Sequence, residues 1–313
     1  ITAHINGVVY LDKAPLTYWL IAASYAVFGV HDWAARLPIA LAAIALCWLT
    51  ERIGTWAFSR RAGFYAGLAA ASCIGLYLFT RILIPEVLLS CTVALSLWAF
   101  LRLEEPQEEF GEAHRRRWRI LFGVGLGAGL LLKGLLGLVA PAGAIFFYLL
   151  ATRRLFAVSH WRERQLLPTL AIATGIGVLI AAPWYVAATL ANPPYFDLTL
   201  KSGEGVFRGF FWRYFSNEHL LRYLGQRLPK DYDTVPLVPF WLLHIVWLFP
   251  WSFYLPAGLQ RLGGERFSAD HRAGRVRLMA ICWAAFLLVF FSFSTSQEYY
   301  TVPIYPALAL LIG

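Results

Sequence analysis

The sequence predicts an all-helical, polytopic membrane bundle, and three observations carry that prediction. The hydrophobic fraction is 59% and charged residues make up only 14%, against about 45–50% and about 25% in soluble domains; mean hydropathy is +0.59. Apolar runs recur along the 313 residues, enough for about ten spans of roughly 20 residues each. Basic clusters occupy alternate gaps between those runs, as cytoplasmic loops do.

Arg60-Arg61, Arg115-Arg116-Arg117, Arg153-Arg154 and the run from Arg261 to Arg277 fall on one side. Of the 27 Lys and Arg residues, about 17 lie in these proposed inner loops, whereas acidic residues divide about evenly, so the bias is in basic residues as the positive-inside rule demands. Tyr10-Leu11-Asp12-Lys13, Arg81 to Glu86, Glu218-His219 and Gln297 to Tyr300 fall on the other side. That parity gathers the residues with chemical potential at one outer face of a membrane. The net charge of +9 does not indicate nucleic acid, because the arginines sit in short loops where they meet anionic lipid. Cys47, Cys73, Cys91 and Cys282 all lie inside apolar runs without metal-ligand spacing and read as small buried hydrophobes. The chain opens on Ile1 and stops within the apolar run Ala307 to Gly313, so a fragment truncated at both ends is expected.

Residues 1–33 read as an outer loop with an interfacial helix. Lys13-Ala14-Pro15 is a poor helix interior, and the apolar run Leu16 to Gly29 is too short to span. Spans are predicted at about 34–56, 63–79 and 87–103. Ile120 to Leu150 must be two short helices, since one helix would place Lys133 deep in lipid at about 2.5–3.5 kcal/mol; Lys133-Gly134 then forms the outer turn. Glycines at 123, 125, 127 and 129 suit close helix packing there. Another span covers about 166–190. Residues 191–235 form a large outer loop, too long for a plain connector. Spans at about 236–259 and 276–294 follow, with Trp241, Trp247, Trp251 and Tyr254 as interface residues. No fixed-period repeat or low-complexity tract interrupts the chain.

Lys13, beside Asp12 and after Tyr10, is a cation at headgroup depth. It suits a lipid phosphate, with Asp12 orienting it, or else is a snorkelling lysine paired with its neighbour. Arg81 and Glu86 share a short outer loop in which Pro85 begins the next helix and Glu86 sits in its first turn, favoured by the helix dipole. Glu218 and Arg222 are four apart, the spacing of a helical ion pair. His219 between them is a proton carrier, a ligand or a surface residue. Asp231-Tyr232-Asp233 matches the metal-binding carboxylate pair of soluble nucleotide-sugar transferases, or is a polar loop. The hydroxyls of Tyr299 and Tyr300 suit a phosphate, a sugar or the headgroup belt. Lys133-Gly134 lacks the spacing of a phosphate-binding Gly loop.

Taken together, these motifs resemble the protein O-mannosyltransferase and aminoarabinose lipid A transferase superfamily of GT-C glycosyltransferases. The resemblance rests on Tyr10-Leu11-Asp12-Lys13-Ala14-Pro15-Leu16-Thr17-Tyr18-Trp19, Ala34-Ala35-Arg36-Leu37-Pro38, Lys133-Gly134, Glu218-His219-Leu220-Leu221-Arg222-Tyr223, and Phe291-Ser292-Phe293-Ser294 leading to Tyr300 and Pro303. It implies a GT-C bundle in a bacterial cytoplasmic membrane that moves a sugar from a polyisoprenyl-phosphate donor to a lipid, glycan or protein acceptor at the periplasmic face. It further implies that Lys13, Tyr10, Arg222 and Tyr300 hold the donor phosphate, with Asp12 and Arg81 supporting. A carboxylate should act as general base; Glu86 and Glu218 are candidates, with His219 a third catalytic candidate. The principal acidic residue of the family precedes the lysine motif, upstream of Ile1, and its later Asp-Pro stands here as Pro85-Glu86. No cofactor is implied with certainty, and a divalent metal remains open. The rival readings are a transporter or lipid flippase, which should show broken helices in two related halves and ionisable groups at mid-membrane, and a lipid-linked oligosaccharide ligase.

Overall fold

In lipid every backbone N–H and C=O must find its partner within the protein, and the apolar runs accordingly fold as helices. The computed structural model describes residues 3–5, 7–106, 111–199, 208–230, 234–260, 269–294 and 297–313. A short antiparallel hairpin opens it, β1 (Ala3–Ile5) and β2 (Val8–Tyr10), with Ala3 opposite Tyr10. Helix α1 (Leu16–Phe28) is the 13-residue apolar helix expected beside the membrane. The Ser24 hydroxyl donates to the Ala34 carbonyl at 2.6 Å and holds α1 against the next helix.

Four helices are long and apolar enough to cross a membrane: α2 (Asp32–Ala57), α5 (Glu86–Leu103), α9 (Leu166–Ala191) and α13 (Arg272–Ser292). Each matches a predicted span. Between α5 and α9, α6 (Glu112–Lys133) and α7 (Leu136–Ala151) make the expected hairpin. Gly134 at its turn takes φ +59°, a conformation that favours glycine. The glycines of α6 work as contacts. A Cβ at Gly123 would stand 2.6 Å from the Ile176 side chain of α9, and one at Gly127 2.8 Å from Ile180. α6 thus lies closer to α9 than any larger residue would permit.

Two expected spans are not single helices. Residues 63–79 divide into α3 (Arg60–Ser72) and α4 (Ile74–Phe79), with Cys73 extended between them. The run 236–259 becomes α11 (Leu237–Trp247), a 3-10 turn at Trp251–Tyr254 and α12 (Leu255–Gln260), bent by 98°. The two breaks meet. The Ile74 N–H donates to the Phe249 carbonyl at 3.1 Å, and the Trp251 indole donates to the Ser72 hydroxyl at 2.8 Å. Each break satisfies groups that the other exposes, which is how an interrupted helix survives in lipid.

Residues 191–235, expected as a loop, also gain structure. α10 (Gly209–Phe211) runs on into a wide-turned π-helix, Trp212–Leu221, a form that is rare and frequent at functional sites. Phe210, Trp212 and Tyr214 are buried. They serve as core, whereas Tyr195 stays exposed. The Asp231-Tyr232-Asp233 motif lies outside the described residues. A 3-10 turn, Glu298–Ile304, and α14 (Tyr305–Ile312) close the chain.

At the basic end of the bundle the charges form a lattice around two buried carboxylates. The buried Glu104 accepts from Arg154 at 3.1 Å, His160 at 2.7 Å and the Tyr148 hydroxyl at 3.3 Å. Buried Glu105 pairs with Arg102 at 3.1 Å and Arg272 at 2.8 Å. Burial alone would raise the Glu104 pKa, but His160, Arg154 and Arg164 outweigh it and hold the carboxyl below its ordinary value. His160 belongs to α8 (Val158–Glu163), which this lattice fastens beneath the bundle.

Candidate active site

At the opposite end, segments far apart in sequence converge. Pro85 caps α5 at its N-terminus and leaves Glu86 as the first residue of the helix, where the dipole favours an anion. Lys133 ends α6, where the dipole favours a cation. The two side chains form an ion pair, Glu86 buried and Lys133 partly exposed. The second Glu86 oxygen, Oε2, is buried without a hydrogen-bond partner among the described residues. Above the pair lies Tyr300, its ring centroid 4.3 Å from Lys133 Nζ and 5.9 Å from the Arg222 guanidinium. Tyr300 leans in turn on Phe291, with ring centroids 5.2 Å apart.

The lysine motif docks on the π-helix. Leu11 and Ala14 are buried in a small core with Leu131, Trp184, Phe210 and Tyr214, which leaves Asp12 and Lys13 between two anchors. Asp12 accepts from Arg213 at 2.7 Å and lies 3.6 Å from Arg227. Glu218 pairs with Arg222 at 3.2 Å and Arg227 at 2.7 Å. Arg227 therefore joins the two carboxylates and ties the lysine motif to the π-helix. Burial, then the Asp12 charge, raise the Glu218 pKa against the pull of its arginines. Burial first, then Asp12, Tyr18 and Glu218, push the Tyr10 hydroxyl up to about 12, so it stays protonated as a donor.

Lys13 itself is exposed, with no ion pair among the described residues. Its charge reaches both Lys133 and His219, so it stands on the same side as the Glu86–Lys133 pair. His219 holds the α6–α7 turn. Its Nδ1 donates to the Tyr214 carbonyl at 2.7 Å, and its Nε2 accepts from the Leu135 N–H at 3.2 Å. Burial, then Arg222 and Lys13, depress its pKa and outweigh its backbone partners. The ring is thus neutral with both nitrogens occupied. A Cβ at Gly134 would stand 2.3 Å from that Nε2, which explains the glycine a second time.

The structure therefore brings Lys13, Tyr10, Asp12, Glu86, Glu218, His219, Arg222 and Tyr300 to one end, as the parity of the loops predicts. Arg81 is held elsewhere: it donates to the Tyr77 hydroxyl at 2.9 Å and stacks on that ring, while its carbonyl accepts from Arg36 at 2.5 Å. Three residues central to the geometry, Lys133, Arg213 and Arg227, are not among the sequence-derived site residues. Lys133 carried a signal, a lone cation at a hairpin turn. Arg213 and Arg227 carried none beyond their charge. Among the described residues no three His, Cys, Asp or Glu side chains stand together in a metal-holding group.

The match to known proteins agrees with this geometry. A family model described as dolichyl-phosphate-mannose-protein mannosyltransferase matches residues 12–185. The undecaprenyl phosphate-alpha-4-amino-4-deoxy-L-arabinose arabinosyl transferase of Pseudomonas aeruginosa (strain UCBPP-PA14) is 29% identical over 325 residues, covering 100% of this chain and 51% of the relative. That of Enterobacter sp. (strain 638) is 25% identical over 321 residues, with the same coverage. The crystal structure of ArnT from Cupriavidus metallidurans bound to undecaprenyl phosphate superposes with a TM-score of 0.82 at 25% identity, covering 100% of this chain and 51% of that one. Its apo form gives 0.78 at 24% identity, a likeness of fold. The chain spans about half the length of the curated relatives it matches.

Proposed function

Because this chain belongs to the dolichyl-phosphate-mannose-protein mannosyltransferase family, we propose that it carries the donor-binding half of an inverting glycosyltransferase. The protein is a multi-pass protein of the bacterial inner membrane. In this reading the end that holds Lys13 faces the periplasm, and a sugar passes there from a polyisoprenyl-phosphate donor to a lipid, glycan or protein acceptor. The relatives named for undecaprenyl phosphate-aminoarabinose transfer and the ArnT structure with undecaprenyl phosphate favour an undecaprenyl donor and a lipid A acceptor.

The observation that carries the reading is the pair of cations Lys133 and Arg222 against the Tyr300 ring, with the Lys13 charge felt at Lys133. A prenyl phosphate leaving from a sugar develops negative charge, and preorganised cations and hydroxyl donors stabilise it most in a partly dehydrated site. Lys13, exposed and with no ion pair among the described residues, is a cation available to the phosphate. Arg222 is aimed by Glu218, and Lys133 by Glu86. Tyr10 and Tyr300 supply hydroxyls. Asp12 positions Arg213 and Arg227, and His219 positions the turn that bears Lys133. Glu86, whose Oε2 is uncommitted, is the stronger candidate for general base, since both Glu218 oxygens hold arginines. Broken spans occur in transporters too, but here the two breaks close on each other.

The test is transfer from labelled undecaprenyl-phosphate sugar to lipid A in proteoliposomes holding the full-length gene product. Lys13→Ala should remove transfer while the protein stays folded. Undiminished transfer sinks the phosphate assignment.

A further inference from the structure

The connector between α7 and α9 carries groups that neither the bundle nor the site uses. Residues 152–165 hold four arginines against one glutamate. One face of the connector is pinned. Arg154 and His160 bind Glu104, and the Trp161 indole donates to the carbonyls of Arg154 at 3.1 Å and Leu155 at 2.9 Å. The Arg164 carbonyl accepts from Arg115 at 2.7 Å, which fastens the connector to the first turns of α6.

The other face is bare. Phe156 is 83% exposed and Val158 72%. Arg153 and Arg162 are exposed beside them, as are Arg116 and Arg117 on the neighbouring turn of α6. Among the described residues none of these four guanidiniums has an ion-pair partner, while Arg102, Arg115, Arg119, Arg154 and Arg272 nearby are all engaged. Exposed Glu163 is the one acid in the connector. A rigid surface with bare guanidiniums around a protruding phenyl and isopropyl group suits neither water nor pure hydrocarbon. It suits the headgroup boundary, where apolar side chains reach acyl chains and arginines meet phosphates.

We propose that residues 152–165, with Arg116 and Arg117, form a docking site for anionic phospholipid headgroups at the basic end of the bundle, with Phe156 and Val158 seated among the acyl chains. Guanidinium groups bind phosphate oxygens in pairs, and each basic residue near an anionic leaflet strengthens association about fivefold. The site is preformed, because the Glu104 lattice orders the connector before any lipid arrives.

The test is native mass spectrometry of the full chain released from nanodiscs of mixed phosphatidylcholine and phosphatidylglycerol, which reads lipid retention whichever way the protein is oriented. Wild type should retain phosphatidylglycerol preferentially. Arg153→Gln with Arg162→Gln should cut that preference about 25-fold, with thermal stability unchanged because both side chains are exposed. Phe156→Ser should reduce retention of both lipids without altering the preference. Lys230→Gln, an exposed cation at the opposite end, should change nothing. An undiminished preference in the double variant, or an equal loss with Lys230→Gln, overturns the proposal. Release of the lipid by inorganic phosphate alone assigns the site to a free anion and overturns the lipid assignment.

Discussion

Buried carboxylates organise both ends of this bundle, and the two ends use them differently. At the basic end both oxygens of Glu104 hold donors, three in all. At the other end Glu86 binds Lys133 through one oxygen and leaves the second buried without a hydrogen-bond partner among the described residues, and Lys13 lies exposed in the same field with no ion pair among them. Both clusters are rich in arginine, so charge alone does not distinguish them. Completeness does. A closed network resists any further ligand, because each group would have to give up a buried partner. An open one has a cation and a carboxylate oxygen still to satisfy, which is the state a phosphate-binding transferase requires before its substrate arrives.

The contrast can be broken from the closed side first. Glu104→Ala strands Arg154, His160 and the Tyr148 hydroxyl together; removing one partner of a buried pair costs about 3–5 kcal/mol. A large fall in melting temperature in detergent is expected, with transfer per folded molecule preserved. Lys13→Ala should do the reverse. Transfer falls by about 10²–10³-fold, the cost of one preorganised donor, with the melting temperature unmoved. If the two variants exchanged phenotypes, the division between closed and open networks would fail.

Glu86→Ala and Lys133→Ala sharpen the comparison within the open cluster. A double-mutant cycle on thermal stability should return a coupling of about 1–3 kcal/mol, as for residues in direct contact. Additive losses would mean that the pair is not formed. The smallest effect concerns His219. Its folded pKa lies below the ordinary value of 6.5, so the unfolded chain binds more protons as pH falls below about 6.5, and stability drops with it. His219→Gln should lose about 1 kcal/mol, one hydrogen bond's worth, but flatten that acid limb. An unchanged slope from pH 7 to pH 5 would show that His219 does not titrate as its buried position requires.

Much of this was legible in the chain, for identifiable reasons. Lys133 betrayed the α6–α7 hairpin because a lysine at mid-bilayer is costly, and the glycines at 123 and 127 anticipated close packing that a Cβ would block. Pro85 placed Glu86 at a helix start. The break at Cys73 left no mark, since hydropathy runs unbroken through it, whereas Pro250 signed the one at Phe249, because helices commonly end before a proline. Arg81 shares a short loop with Glu86, yet it is held by Tyr77 while Glu86 pairs with Lys133.

By itself the sequence determined which segments are apolar enough to span and, through the alternation of their loops, which residues share an end. Those follow from transfer energies summed along one segment, and a segment carries them wherever it packs. Tertiary structure alone decided that Lys133 answers Glu86 across 47 positions, that Arg227 joins Asp12 to Glu218, and that His219 has no nitrogen to spare. Such pairings depend on where helices cross, and that is set by every contact in the bundle at once.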